Sequence, residues 1–119
     1  MLEPKDSLQA LSTKLQAFVT LRQWAIFHSP KNLSMALSVE VGELLEHFQW
    51  LSEQESIQLD EPRRQAVAME CADVLLYLLQ LSNKLQIDLV QSAHEKLRIN
   101  EIKYPIEKSK GRATKYNQL

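Results

Sequence analysis

The stretch from Leu33 to Leu51 constrains the fold most, because its apolar residues recur at spacings of three and four. That period is typical of an α-helix with one apolar face. The residues that share the face are Ala36, Leu37, Val41, Leu44, Phe48 and Leu51. Glu40 and Glu43 lie on or beside this face, although a carboxylate that faces a core is costly unless it is paired, hydrogen-bonded or bound to a metal. The stretch therefore predicts a helix that presents two carboxylates to a cation.

A second stretch repeats this arrangement further along the chain. Glu70 and Asp73 are three residues apart and lie directly before the apolar run from Val74 to Leu81. Side chains at this spacing point to the same side of a helix. If the two helices pack antiparallel, all four carboxylates face one another across the interface. Oxygen ligands of this kind suit Mg²⁺ or Mn²⁺, so the sequence predicts a metal site between the two helices.

Other metal centres fit the sequence less well. A ferritin-like di-iron bundle uses Glu-x-x-His pairs, whereas none of His28, His47 and His94 has an acid three residues before it. Zinc would be poorly served by one cysteine and scattered histidines. Either acidic pair taken alone also fits a solvated helix surface, because glutamate is a good helix former. The position of both pairs on apolar faces favours the cation.

Composition predicts an all-α protein. The chain of 119 residues has 45% hydrophobic and 24% charged residues, which is ordinary for a globular domain. Its two glycines and four prolines are too few for a many-stranded β fold and favour a few long helices. A formal net charge of −1 gives no general reason to expect a nucleic acid polymer or a membrane as partner.

The single cysteine, Cys71, excludes an internal disulfide framework. Together with an N-terminus that has no signal-peptide pattern, it predicts a cytoplasmic protein. Because Cys71 lies in an apolar helix, we expect its thiol to be buried. The apolar run from Val74 to Leu81 is too short to span a bilayer.

Four helices are predicted from the apolar periods, the caps and the prolines. Their approximate ranges are 8–27, 33–51, 62–85 and 89–103. Expected caps are Asp6 or Ser7, Asn32 or Ser34, Asp60, and Asp88, with a capping box at Ser52. We expect one domain over residues 1–119, with 1–6 and 106–119 loosely ordered. The third helix is apolar on nearly all sides, which indicates a homo-oligomer.

Further residues complete a longer pattern around the acids. In order they are Trp24, Phe27-His28, Pro30-x-Asn32-Leu33, Glu40-Val41-Gly42-Glu43-Leu44, Phe48-Gln49-Trp50, Asp73-Val74-Leu75-x-Tyr77-Leu78, Ile87-Asp88-Leu89, Lys96, Asn100, Lys103-Tyr104-Pro105, Gly111 and Lys115-Tyr116. This pattern resembles the all-α NTP pyrophosphatases of the MazG-like group, whose signature is E-x-x-E on one helix and E-x-x-D on the next. Within that group it is most similar to the dCTP pyrophosphatases, over roughly residues 15–119. The loop from Ser52 to Glu61 shows the least resemblance.

The resemblance implies a four-helix bundle of the MazG-like type, assembled as a tetramer from two dimers. It also implies Mg²⁺-dependent hydrolysis of a nucleoside triphosphate between the α and β phosphates, with dCTP or 5-modified dCTP preferred, as in house-cleaning of the nucleotide pool. Metal binding and catalysis then fall to Glu40, Glu43, Glu70 and Asp73. The sequence leaves open which carboxylate, if any, also serves as general base.

Substrate binding is implied by the same resemblance for seven further residues. They are Trp24, His28, Trp50, Tyr77, Lys96, Asn100 and Lys103. An aromatic face can stack on any base, and hydrogen bonds to the base edge then discriminate. The two tryptophans also fit plain core packing, and the lysines and the asparagine also fit a solvated surface.

A second function of a different class is compatible with the sequence. The protein would then be a non-catalytic helical module, in which the acids hold a structural or regulatory ion on a MazG-like scaffold. The presence of all four acids favours the enzyme, because each would have a role in binding a catalytic metal.

Overall fold

The computed structural model describes residues 7–119, and this range is helical without any β-strand. The α-helices are α1 Leu8–Leu21, α2 Pro30–Glu46, α3 Glu53–Ile57, α4 Glu61–Lys84, α5 Leu89–Lys103 and α6 Ile106–Ser109, with 3₁₀ turns at Ala25–Phe27 and Tyr116–Gln118. The predicted all-α class is confirmed. Within residues 7–119, no helix combines the length and the apolar character needed to cross a membrane. The expectation for residues 1–6 lies outside the described residues.

The chain forms two compact units, one that ends at Gln86 and one that runs from Ile87 to Leu119. In the first unit, α4 packs against both α1 and α2. The second unit contains α5 and α6. There the ring of Tyr116 meets Tyr104 edge-on at 6.1 Å between centroids, and the Lys103 ammonium lies 4.7 Å from the Tyr116 centroid. The tail that we expected to be loosely ordered therefore carries helical turns and aromatic contacts, while the four-helix bundle and the single domain stay predictions.

The end of α1 differs from the prediction. As expected, the hydroxyl of Ser7 caps the helix by accepting a hydrogen bond from the amide of Ala10 at 3.0 Å. The helix ends at Leu21, however, and not near residue 27. Gln23 has a φ of 55°, which lies in the left-handed region that interrupts a right-handed helix. The following residues form a separate 3₁₀ turn.

Both ends of α2 are displaced from the predicted range 33–51. The helix begins at Pro30, after a Ser29 cap whose hydroxyl accepts from the amide of Asn32 at 3.1 Å. Proline is favoured at the first helical position because its missing N–H has no intrahelical partner there. The helix ends at Glu46, and the segment as far as Leu51 continues as turns.

Three predicted helix starts are confirmed. Ser52 and Glu55 form a reciprocal capping box at 2.9 and 3.1 Å. The pKa of Glu55 is lowered most by the hydrogen bond from the Ser52 backbone amide. Hydrogen bonding with the Ser52 hydroxyl lowers it further. Asp60 and Asp88 each accept a hydrogen bond from the amide three residues further on, at 2.9 and 3.0 Å. Local sequence therefore sets where α3, α4 and α5 begin.

The apolar core of the first unit is thin. Among the described residues of this unit, the buried apolar side chains are Leu15 on α1, Leu33 on α2 and Leu79 on α4. Beside them, Ser12 and Asn83 join α1 to α4, with Asn83 Nδ2 donating to Ser12 Oγ at 2.9 Å. Many large apolar side chains elsewhere in residues 7–119 remain exposed. Exposed apolar surface of this kind commonly marks an interaction site.

The predicted burial of Cys71 is wrong, because its side chain is exposed. The buried residues of α4, Leu79 and Ser82, lie in its C-terminal half. The N-terminal half of this helix leaves one side uncovered, and Cys71 lies on that side. An apolar sequence neighbourhood therefore did not imply burial within a single chain.

Candidate active site

Three carboxylates from two helices meet where α2 packs against α4. Glu40 and Glu43 lie on α2, Glu70 lies on α4, and one oxygen of each falls within 4.8 Å of the others. All three side chains are half-buried. The spacing of three residues on α2 aims two acids in one direction, and the helix packing brings the third to meet them.

Two oxygens of this cluster have no hydrogen-bond partner among the described residues. They are Glu40 Oε2 and Glu70 Oε2, and both are buried. Removal from water raises the pKa of Glu40 to about 7, with further contributions from hydrogen bonding to Glu43 and Glu70 and from the charges of Glu43 and Asp73. Unpartnered buried carboxylate oxygens that crowd one another are the donor set that a hard divalent cation accepts.

Asp73 lies at the edge of the cluster. It is not one of the three acids whose oxygens converge, but its charge acts on Glu40. Asp73 follows Glu70 by three residues on α4, and its side chain is half-buried. The structure therefore brings three of the four predicted ligands together and places the fourth nearby.

A cavity of about 280 Å³ lies in the first unit, between α1, the first 3₁₀ turn and α4. Its apolar wall includes Leu15, Val19 and Leu33. Its polar lining residues are Gln16, Thr20, His28, Gln80, Asn83 and Lys84. The ammonium of Lys84 donates to the carbonyl oxygen of Ala25 at 3.3 Å. A largely apolar hollow with a few polar groups is the usual form of a small-molecule site.

The cavity and the acid cluster lie along the same two helices. On α2, Leu33 at the cavity precedes Glu40 by about two turns, or ~10 Å. On α4, Asp73, Tyr77 and Gln80 follow one another at spacings of four and three, so they form one stripe. Sequence reasoning missed Gln80 at the end of that stripe. Its spacing from Asp73 was the signal that could have found it.

Trp24, His28 and Trp50 are placed differently in the single chain, and their grouping around one base stays a prediction. His28 is half-buried and lines the cavity, whereas the two tryptophans do not. Trp24 packs edge-on against Phe18 at 5.7 Å between ring centroids. Trp50 is 87% exposed. The reason is that α1 and α2 end earlier than predicted, so both tryptophans lie on turns and not on helix faces.

Four predicted substrate ligands remain. Tyr77 lies on α4 and is half-buried, and Lys96, Asn100 and Lys103 belong to the second unit. Lys96 is exposed on α5, and Asn100 is half-buried with its carbonyl oxygen accepting from the Tyr104 amide at 2.8 Å. Lys103 lies over the Tyr116 ring. Their role in substrate binding stays a prediction.

Comparison with known proteins gives consistent matches. The profile of the MazG-like family matches residues 35–119. Mouse dCTP pyrophosphatase 1 is 38% identical over 118 residues, which cover 98% of this chain and 69% of the mouse protein. The human protein of the same name is 37% identical with the same coverage. A crystal structure of a pyrophosphatase from Archaeoglobus fulgidus superposes with a TM-score of 0.80 at 39% identity, covering 88% of this chain and 98% of that one. The chain therefore belongs to the MazG-like family.

Proposed function

We infer that the protein is a nucleotide pyrophosphatase, which hydrolyses a nucleoside triphosphate between its α and β phosphates to give a monophosphate and pyrophosphate. The observation that carries this conclusion is the cluster of Glu40, Glu43 and Glu70 with its two buried, unpartnered oxygens. Phosphoryl transfer needs little covalent help from a protein and much neutralisation of charge. Relatives that are named dCTP pyrophosphatase 1 and a pyrophosphatase of similar structure support the assignment.

Mg²⁺ is the proposed cofactor, held by Glu40, Glu43, Glu70 and Asp73. When bound, a divalent cation neutralises charge on the phosphate oxygens and lowers the pKa of a bound water. The carboxylates repel phosphate when no cation is present, so their role is to hold the cation at the α2–α4 contact. Because burial holds the pKa of Glu40 near 7, that residue carries a proton for part of the time at neutral pH. Binding a cation releases this proton.

The preferred substrate is proposed to be dCTP or a 5-substituted dCTP. His28, which lines the cavity, is the proposed base contact. Trp24 and Trp50 are exposed at 44% and 87%, so each offers an aromatic face for stacking. Tyr77 lies on the α4 stripe between the acids and the cavity. The names of the mammalian relatives support cytosine as the base.

Phosphate binding beyond the metal acids is proposed for Lys96, Asn100 and Lys103. The ammonium groups would balance charge on the departing pyrophosphate, which is the role that lysine commonly has toward phosphates. Lys96 is exposed on α5 and available for such a contact. Separate substitution of each residue tests whether it contributes to substrate binding.

A homotetramer built from two dimers is the proposed assembly. Exposed apolar residues on α2 include Met35, Val39, Val41 and Leu45. They would have to stay in contact with water in a single chain, although burying each of them is favourable. A second copy of the chain is the proposed cover, since most oligomers of this size are symmetric homo-oligomers.

A pyrophosphate-release assay over a panel of nucleoside triphosphates tests the proposed function. We expect Mg²⁺-dependent release from at least one deoxynucleotide and loss of release on adding EDTA, restored by excess Mg²⁺. Glu43→Gln tests whether this carboxylate is a metal ligand and a catalytic group. Glu46→Gln on the same helix is the matched control. No release from any nucleotide would leave the non-catalytic metal-binding module as the function.

A further inference from the structure

We propose that the cavity takes the base of the nucleotide and that the Gln80 side chain accepts a hydrogen bond from the 4-amino group of cytosine. This inference rests on the proposed function, because it assigns the specificity of the same active site. It gives a role to a residue that the family pattern in the sequence does not include.

The Gln80 carboxamide has an unsatisfied oxygen. Its Oε1 is buried and has no hydrogen-bond partner among the described residues. Two other amides line the cavity: Asn83 is already paired with Ser12 at 2.9 and 3.1 Å, and Gln16 is exposed, so that water can satisfy it. A buried acceptor without a donor is unfavourable, so the oxygen gains from any ligand that brings an N–H. Gln80 is therefore the cavity amide that remains available.

The cavity has an apolar wall. Leu15, Val19 and Leu33 form an apolar wall, against which the flat face of a ring can pack. The cavity of about 280 Å³ has room for a nucleotide base, so its lining groups, and not its volume, have to select the ring. Of the polar lining groups, the Gln80 oxygen is the buried one without a partner among residues 7–119, and it can fix the orientation of the ring.

Gln80 lies on the same helix as two of the acids, Glu70 and Asp73. Gln80 follows Asp73 by seven residues on α4, which is about two turns or ~10 Å along the helix. A nucleotide whose phosphates lie at the acid cluster extends its sugar past Tyr77 and its base toward Gln80. The two ends of one substrate thus correspond to two positions on one helix stripe.

The chemistry of a carboxamide fits the edge of cytosine. Cytosine presents an amino donor at C4 beside the N3 acceptor, and a glutamine presents an oxygen acceptor beside an N–H donor. Oε1 is closed to solvent in the free chain, so contact requires rotation about the terminal torsion of the side chain. This torsion is broad and roughly two-fold, which makes the rotation easy.

A four-way cycle tests the contact. The wild-type protein and Gln80→Leu are each measured with dCTP and with the 2-pyrimidinone deoxynucleoside triphosphate, which lacks the 4-amino group. In the wild type, loss of the amino group should lower kcat/KM by roughly three- to tenfold, as expected for one neutral hydrogen bond. In Gln80→Leu the two substrates should be equal, and the change should appear in KM with kcat nearly unchanged.

Thermal unfolding separates this role from a purely structural one. Gln80→Leu removes an unpartnered buried oxygen, so Tm of the unliganded protein should stay equal or rise. A fall in Tm of several degrees, with both substrates weakened equally, would show that Gln80 only supports the fold. Gln16→Leu is the control, because Gln16 lines the same cavity but is exposed. It should leave the preference for the amino group unchanged.

The outcomes distinguish the inference from the proposed function. Pyrophosphate release with no coupling at Gln80, or with coupling at Gln16 instead, would overturn the role of Gln80 and leave the enzyme assignment intact. Absence of release from every nucleotide would overturn the enzyme assignment. In that case calorimetric titration of the same two nucleotides into both proteins still decides whether Gln80 reads the base, because binding does not depend on turnover.

Discussion

A carboxylate oxygen of Glu40 on α2 lies within 4.8 Å of one of Glu70 on α4, and each residue also has a buried oxygen that no described group satisfies. Packing of α2 against α4 holds the two acids in this position. Like charges at such a distance repel each other, so the metal-free arrangement costs stability. Functional sites of this kind lower the stability of the free protein, and the same unsatisfied groups bind the ligand.

Glu40→Gln should abolish turnover while the fold survives, because the amide cannot supply a charged oxygen to a divalent cation. Asp73→Asn should act in the same direction. We expect kcat to fall by roughly 100-fold or more, in line with the loss of one electrostatic stabiliser in a buried site. Pyrophosphate release at saturating and at limiting Mg²⁺ measures the effect, and circular dichroism monitors the fold.

Glu46→Gln serves as the control for these variants, since Glu46 ends the same helix but is exposed and outside the cluster. It should keep near-normal activity. A Glu40→Gln protein that is still active at limiting Mg²⁺ would show that the acids do not hold the catalytic metal.

The metal-free protein should lose stability as pH rises from about 4.5 to about 7. The pKa of Glu40 is raised from 4.5 to about 7 in the folded chain, first by removal from water. Between these values the folded chain binds more protons than the unfolded chain, so the free energy of unfolding falls as pH increases. Above pH 7 this contribution levels off, because Glu40 is then ionised in both states.

Urea unfolding in EDTA at several pH values between 4.5 and 8 measures this dependence. Glu40→Gln should flatten the slope, because its side chain does not titrate, whereas Glu46→Gln should keep it. An equal slope in all three proteins would mean that other groups cause the pH dependence. Added Mg²⁺ should restore stability most above pH 7, where the cluster carries its full charge.

The acid cluster was predictable because it depends on short-range geometry. Glu40 and Glu43 are three residues apart, and that spacing alone aims both side chains in one direction. Asp60 and Asp88 were equally predictable as caps, since the hydrogen bond spans only three residues. The position of Glu70 beside Glu40 and Glu43 could be predicted by assuming that the two apolar helix faces pack against each other.

The helix ends beside the cavity were not predictable from periodicity. The apolar spacing continues through Gln23, whose left-handed φ of 55° ends any continuous helix. Trp24 follows this interruption, and Trp50 lies on the turn that follows the end of α2 at Glu46, so their exposure did not follow from helix phase. Gln80 was overlooked because its spacing from Asp73 belongs to no motif, and its unpartnered oxygen is visible only in three dimensions.

The protein should behave as a tetramer in solution. Its buried apolar side chains among the described residues are few, while residues such as Leu45 and Met69 are exposed. Removing this surface from water stabilises an assembly of copies. Static light scattering should return about four times the chain mass of 13.8 kDa. A mass near that of one chain at micromolar concentration would contradict the proposed assembly.

Substrate preference should follow the lining of the cavity. Its polar groups can pair with the edge of cytosine and would be left unpaired by a purine, and a 5-methyl or 5-halo group adds apolar contact against a wall that includes Leu33. Such a substituent is worth roughly 1 kcal/mol, or about a fivefold preference. We therefore expect dCTP and 5-substituted dCTP to exceed dTTP, and purine triphosphates to be the poorest substrates.

Values of kcat/KM across dCTP, 5-methyl-dCTP, dUTP, dTTP, dATP and dGTP measure this order. His28→Ala should raise KM for dCTP more than it changes the Mg²⁺ dependence, because His28 lines the cavity and not the acid cluster. Trp50→Ala should do the same if the exposed ring closes over the bound base. Equal efficiency for purines and pyrimidines would show that the cavity does not receive the base. The protein would then be a general triphosphate pyrophosphatase, which recognises the phosphates of its substrate and not the base.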